Sequence, residues 1–424
     1  MKKYNIFFLC GIIGLLSSCI NDIEDCDSVF IPSDEEETMY LQFRITPELN
    51  TGESGTRAVD DDAFDKEDHP QEGGIAAENH ISFDDMKLYV CNSQTGIIIQ
   101  ELTPENGLEN NNVLTFTAKV TASPASLSTS GNSFGFTIVA LANWNSIGGN
   151  YPQVTEGLTT LGYLEQVAGF TFIQNSNWTP AIGNGAGKYG IPMYGKQSYT
   201  GISYDDLKGT TMASPLLLYT AGTPSKPYHK DINLLRSMAK LEVADRIEKN
   251  NTGFPKVLNV SVKNYTTSGL YIPTPTAFHN SNGTEVGYNQ VFKTSLPENL
   301  TMATAAKPFG WVNKYATTPD SNGNDWDQYT DITGWWTTYM PEMNYTTSEA
   351  ATSPQLEITI QRAAGGESEV KTVPLPQFPT SLGMIMRNHI YRIEVTMASQ
   401  ETNLTLRYGI CPWVTETINI PTFD

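Results

Sequence analysis

Residues Met39–Asp65 read MYLQFRITPELNTGESGTRAVDDDAFD. Met39, Leu41, Phe43 and Ile45 alternate with Tyr40, Gln42 and Arg44, a period of two that predicts a strand with one face in a core. The pattern stops at Pro47. A polar stretch follows, with a single arginine, Arg57, among glycine, serine, threonine and acids. Burying four such apolar side chains contributes at most ~6–12 kcal/mol, at ~1.5–3 kcal/mol each. An ordinary first strand needs no long polar tether, so this one demands an explanation.

The charge distribution sharpens the question. The chain has 424 residues and a net charge of −20. Between Ile20 and Asp85 there are 20 acidic residues against Arg44, Arg57 and Lys66, so this arm holds −17 of the total. The body beyond it is nearly balanced. It offers no basic stripe to displace phosphate counterions, which points away from nucleic acid as a partner. A hydrophobic fraction of 39% with 10% aromatics suffices for packed cores.

Ahead of the arm, Lys2 and Lys3 precede the apolar run IFFLCGIIGLL (Ile6–Leu16), too short for a comfortable bilayer span. It ends in LSSC, Leu16–Cys19, which resembles a bacterial lipobox and implies a signal peptide over residues 1–18 and lipid on Cys19. Of the five cysteines, Cys26, Cys91 and Cys411 then remain. They lack CxxC spacing, and an exported location would permit one bridge among them.

The body reads as strands and turns. VLTFTAKV (Val113–Val120) alternates, FGFTIVALANW (Phe134–Trp144) is more continuously apolar, as in a central strand covered on both faces, and VLNVSVKNY sets Leu258, Val260 and Val262 on one face. QLEITIQ and YRIEVTM repeat the alternation through Ile360 and Met397. GLTTLGYLEQVAGF spaces Leu158, Leu161, Leu164 and Val167 for a surface helix covering a sandwich edge. TAGTPSKPYHK (Thr220–Lys230) interrupts the pattern. The expectation is an all-β chain of two tandem β-sandwich domains, 58–226 and 227–424, with a minor surface helix.

Chemical motifs are sparse. IGNGAGKYG (Ile182–Gly190) lacks the first glycine and the hydroxyl that a phosphate loop needs. Asp320, Asn322, Asn324 and Asp331 match part of a calcium-loop template, but Asp325 stands where glycine belongs, and a solvated acidic loop uses the same letters. Trp326, Trp335 and Trp336 are candidate sugar-stacking aromatics, or else core and rim of a sandwich. His69, His80, His229, His279 and His389 are scattered, with no HExxH or GxSxG. No enzyme, cofactor or metal is expected.

Several fragments together resemble the fimbrillin family, the type V pilins of Bacteroidota. LSSC is followed by the acidic arm and by TRAVDDD (Thr56–Asp62). FTIVALANW comes next, then IPMYG (Ile191–Gly195), LLRSMAKLEV (Leu234–Val243) and TTYMPEMN (Thr337–Asn344). RNHIYRIEVT (Arg387–Thr396) precedes CPWVTETINI (Cys411–Ile420). The resemblance spans almost the whole chain.

It implies two transthyretin-like, Greek-key sandwiches exported as a lipoprotein precursor to the outer membrane and cell surface. It also implies removal of residues 19–57 by an arginine-specific protease, with Arg57 at the cleavage position and Met39, Leu41, Phe43 and Ile45 on the departing strand. The vacated groove would accept a strand from another fimbrial subunit, in a homo- or hetero-polymer. The candidate donor lies at about 402–420, with Leu404, Leu406, Tyr408 and Ile410 alternating. CINDIEDC (Cys19–Cys26) also resembles the start of the family's anchors. The alternative is therefore an anchor or a monomeric surface lipoprotein adhesin that binds glycans, host protein or a bacterial surface ligand.

Overall fold

In the computed structural model of the chain the described residues are 36–47, 78, 80–110, 113–130, 133–145, 151–166, 168–171, 190–221, 225–270, 303, 305–313, 334–344, 353–375, 384–385, 387–398 and 403–412. They form an all-β protein. The first half supplies β1 (Glu37–Pro47), β2 (Met86–Asn92), β3 (Ile98–Leu102), β4 (Pro104–Asn110), β5 (Val113–Ala122), β6 (Ser128–Ser130), β7 (Ser133–Ala142), β8 (Ala168–Thr171), β9 (Met193–Ser203), β10 (Leu216–Leu217) and β11 (Ile232–Arg236). The second supplies β12 (Met238–Asp245), β13 (Lys256–Lys263), β14 (Ser268–Leu270), β15 (Lys307–Pro308), β16 (Gly310–Asn313), β17 (Gly334–Pro341), β18 (Met343–Asn344), β19 (Gln355–Gln361), β20 (Ser368–Pro374), β21 (Met384–Ile385), β22 (His389–Thr396) and β23 (Thr405–Pro412).

The first sheet runs β3-β2-β7-β9-β11-β1-β5-β4, with β10 also on β1 and β6 on β7. Its ends approach each other. Gln100 on β3 donates its side-chain amide to the Lys119 carbonyl on β5 and accepts from the Thr121 N–H, at 3.2 and 2.8 Å. The sheet therefore curls around a single core that includes Phe43, Phe116, Phe136 and Tyr199. β7 is the continuously apolar strand, buried from Phe134 to Ala142 between β2 and β9, as its composition requires.

In the second half, a five-stranded sheet, β16-β17-β12-β22-β23, and a four-stranded sheet, β15-β13-β19-β20, share one core. Leu356, Ile358 and Ile360 on β19 are buried as their alternation predicts. Sheet membership changes at Ser237, because β11 still pairs with β1 and β9.

Two local readings change. On β13 a register shift between Val257 and Asn259 puts two residues opposite one, so Val257 turns inward and Leu258 is left 37% exposed. The expected helix around Leu161 is only Leu161–Gln166 long, Leu158 is 77% exposed, and the chain returns to a strand at Ala168. The segment before that helix covers an edge by hydrogen bonding. Ile98 donates to the Thr159 carbonyl and Leu161 to the Gly96 carbonyl, both at 2.8 Å, which closes the outer side of β3.

Candidate functional site

β1 sits in the middle of its sheet. It pairs antiparallel with β5 from Glu37↔Ala122 to Ile45↔Leu114. On its other side it runs parallel to β10 at Leu41↔Leu216 and to β11 from Ile45↔Ile232 to Pro47↔Leu234. The four alternating residues Met39, Leu41, Phe43 and Ile45 are all buried. Phe43 packs its ring 5.5 Å from that of Phe116 on β5 and 6.1 Å from Tyr199 on β9, joining both layers of the sandwich.

The opposite face of β1 is held by polar side chains from residues 204–233. Arg44 donates from Nε and Nη2 to the two carboxylate oxygens of Asp231, at 2.8 and 2.7 Å, a bidentate pair. Its guanidinium lies 5.1 Å from the centre of the Tyr219 ring. The Tyr219 hydroxyl donates to Gln42 Oε1 at 2.8 Å, and the Thr46 hydroxyl donates to Asn233 Oδ1 at 3.0 Å. At the start of the strand, in phase with Met39 and Leu41, the Glu37 carboxylate accepts from the Tyr204 hydroxyl at 2.8 Å, and the main-chain N–H of Tyr40 donates to Thr210 Oγ1 at 2.9 Å. Tyr204 follows Ser203, whose side chain caps its helical turn in a box with Asp206. Asp205 and Asp206 are the acidic residues of that first turn.

A second constellation ties the halves together. Arg236 is wholly buried and donates to the Glu78 carbonyl at 3.1 Å and to Asn388 Oδ1 at 2.9 Å. Lys240 Nζ lies 3.0 Å from Glu78 Oε1, and Tyr339 donates its hydroxyl to the same carboxylate. Arg392 donates from Nε and Nη2 to Glu242 Oε2 at 3.0 and 2.8 Å. Burial opposes ionisation of Glu242, but Lys240 and Arg392 outweigh it and hold its carboxyl below the usual range. Burial likewise opposes charge on Lys240, and Glu242 and Glu78 overcome it, raising its pKa. This is a structural lock: Lys240, Glu78, Glu242 and Arg392 each have a partner of opposite sign, and Arg236 is held by neutral oxygens.

The remaining expected sites divide clearly. Cys19, Cys26, Arg57, Trp326, the candidate calcium residues Asp320, Asn322, Asn324 and Asp331, and residues 182–189 lie outside the described residues. Trp335 and Trp336 sit on β17, both half-buried, and Trp336 meets the more exposed Trp311 edge-to-face at 5.2 Å on the outer strand β16. Leu404 and Leu406 pack against the second core, and Tyr408 and Ile410 lie in β23 opposite Ile393 and Tyr391. β23 thus completes its own sheet and, among the described residues, is an edge strand with β22 as its neighbour. Cys91 is a free buried thiol, its pKa pushed up to about 12 by burial. No group of metal-ligating side chains occurs among the described residues, and no helix among them is long and apolar enough to cross a membrane.

Sequence reasoning missed Asp231, Tyr219 and Tyr204, which grip β1 from 167 to 187 residues away along the chain. No local pattern marks them, because their role exists only once β1 lies beside β10 and β11.

No family model and no curated protein matches the chain. Among solved structures it is similar to the tip fimbrial protein Mfa3 from Porphyromonas gingivalis, at 15% identity over 89% of this chain and 100% of that one, with a TM-score of 0.45. It is also similar to a fimbrial assembly protein from Parabacteroides distasonis, at 12% identity, 89% and 100% coverage and a TM-score of 0.39. A third is the fimbrial anchor protein Mfa2 from Porphyromonas gingivalis, at 11% identity, 90% and 100% coverage and a TM-score of 0.33. The structural neighbours of this chain are thus fimbrial proteins of Bacteroidota.

Proposed function

We propose that the protein is a stalk or tip subunit of a cell-surface fimbria, exported as a lipoprotein precursor, matured by cleavage after Arg57 and polymerised by β-strand exchange. The observation that carries this reading is the position of β1, which is central in its sheet and fully buried on its inner face. In sequence it is tied to the body only through residues 48–77, which contain Arg57. Its loss would strip β5 of the partner along its whole inner edge and leave β10 and β11 with unpaired N–H and C=O groups. A groove of that kind, lined by Phe116, Tyr199 and their neighbours, is strongly driven to take up an extended strand. β1 then acts as a temporary plug that lets the sandwich fold before assembly.

The test is cleavage of the purified precursor by an arginine-specific protease, followed by N-terminal sequencing and sedimentation. A new N-terminus at Ala58 together with large polymers is expected, and Arg57→Ala should stay monomeric. Resistance of Arg57 to cleavage, or cut chains that remain monomers when mixed with other cut chains, would sink the proposal.

A further inference from the structure

The outward face of β1 carries a second kind of information. Its apolar face would suit many strands, whereas its polar face is read residue by residue. Gln42 meets the Tyr219 and Thr117 hydroxyls, Arg44 meets the Asp231 carboxylate and the Tyr219 ring, and Thr46 meets Asn233. All of these partners lie on β5 or on residues 219–233, so they stay with the body when β1 leaves. A vacated groove then presents a carboxylate beside an aromatic face, at the site of a bidentate guanidinium.

The chain holds one matching segment at its other end. β1 reads Leu41-Gln42-Phe43-Arg44-Ile45, and the C-terminal stretch reads Leu404-Thr405-Leu406-Arg407-Tyr408. Both alternate apolar and polar residues in the same phase, with arginine at the fourth place. Arg407 is the only basic residue after Arg392. The next alternating stretch, Val414–Ile420, has none, so the match distinguishes the two C-terminal candidates. In β23, Leu404 and Leu406 already face a core while Thr405 is exposed, and position 407 shares the phase of Thr405. Leucine for Phe43 and tyrosine for Ile45 exchange a smaller and a larger side chain at adjacent inward positions, which roughly conserves volume. Among the described residues β23 is an edge strand paired on one side, and such a strand is easier to release than a central one.

We infer that Asp231 and Tyr219 form a cation-reading station that selects the incoming strand and sets its register, taking Arg407 of a second copy of this chain in the place of Arg44. The inference rests on the strand-exchange reading above and gives it a partner and a register.

Charge reversal tests it on the full chain, cut with the arginine-specific protease and followed by light scattering. Asp231→Lys and Arg407→Glu should each slow polymer growth about tenfold or more, the equivalent of losing ~1.4 kcal/mol. Arg407→Gln should fall between them and the unmodified chain. The doubly reversed chain, carrying both Asp231→Lys and Arg407→Glu, should recover to within about threefold of the unmodified rate. A cooperative thermal transition of each uncut variant establishes that it is folded. Growth unaffected by either single reversal overturns the reading station while leaving strand exchange intact. Slowed single variants without recovery in the double overturn the direct pairing of Arg407 with Asp231. Failure of the unmodified cut chain to polymerise removes both proposals.

Discussion

Arg44 and Asp231 are 187 residues apart in sequence, yet their side chains meet in a two-pronged hydrogen bond across parallel strands. Both side chains are about a third exposed or less, at 32% and 27%. The pair therefore contributes modest stability, as partly solvated ion pairs do. Its larger effect is positional. With the arginine fixed, Phe43 and Ile45 point into the core, because a one-residue slip would turn the whole strand over.

The apolar face of β1 supplies the stability that the polar face directs. Phe43→Ala should destabilise the uncut precursor by about 3–5 kcal/mol, the usual result of emptying a buried phenylalanine site. The cut chain freed of its plug should melt like the unmodified one. Thermal melts before and after cleavage make the comparison; an equal loss in both forms would mean that Phe43 acts elsewhere.

Glu78 receives Lys240 and Tyr339 at the junction between the two halves. Glu78→Ala leaves an excess of buried positive charge from Lys240 and Arg392 over Glu242. A loss of about 3–5 kcal/mol is expected. Urea titration should also show the transition broadening or splitting as the halves uncouple. A single transition shifted by less than about 1 kcal/mol would contradict this role.

Lys307 on β15 is buried, with its ammonium donating to the Tyr339 carbonyl, and burial lowers its pKa to about 7. An unfolded lysine keeps its proton up to about 10.4. Between these values the unfolded state holds more protons, so stability rises with pH from about 7 towards 9. The buried Cys91 thiol, pushed up to about 12, offsets part of this rise from about 8.5 upward, and buried tyrosines such as Tyr199, raised by burial, oppose it near the ordinary tyrosine value and above. Urea midpoints at pH 7 and pH 9 should show the rise, and Lys307→Met should flatten it.

The bulge on β13 separates two adjacent residues that the sequence reads the wrong way round. Val257→Thr places a hydroxyl in the core and should cost about 1–2 kcal/mol. Leu258→Thr changes a half-exposed position and should stay within about 0.5 kcal/mol. If Leu258 proves the more sensitive of the two, the register between β13 and β19 is not the one described.

Several strands were legible from periodicity alone. The alternation of residues 39–45 and 356–360 and the unbroken apolar run of β7 each emerge with the burial their patterns predict. Period two is a property of the strand itself, so it survives without knowledge of its neighbours. The helix around Leu161 was over-read because threefold leucine spacing is also met by a short helix flanked by an exposed turn and a strand.

The sequence by itself determined that β1 is a strand with one apolar face, followed by a polar, acidic stretch containing Arg57. Tertiary structure alone decided that this strand is central rather than peripheral, and that Asp231 and Tyr219 read its outer face. It also decided that Lys240, Glu242 and Arg392 are buried with Glu78. The reason is physical: side-chain alternation is set within a few residues, whereas strand neighbours and charge partners are chosen when segments nearly two hundred residues apart close on one core.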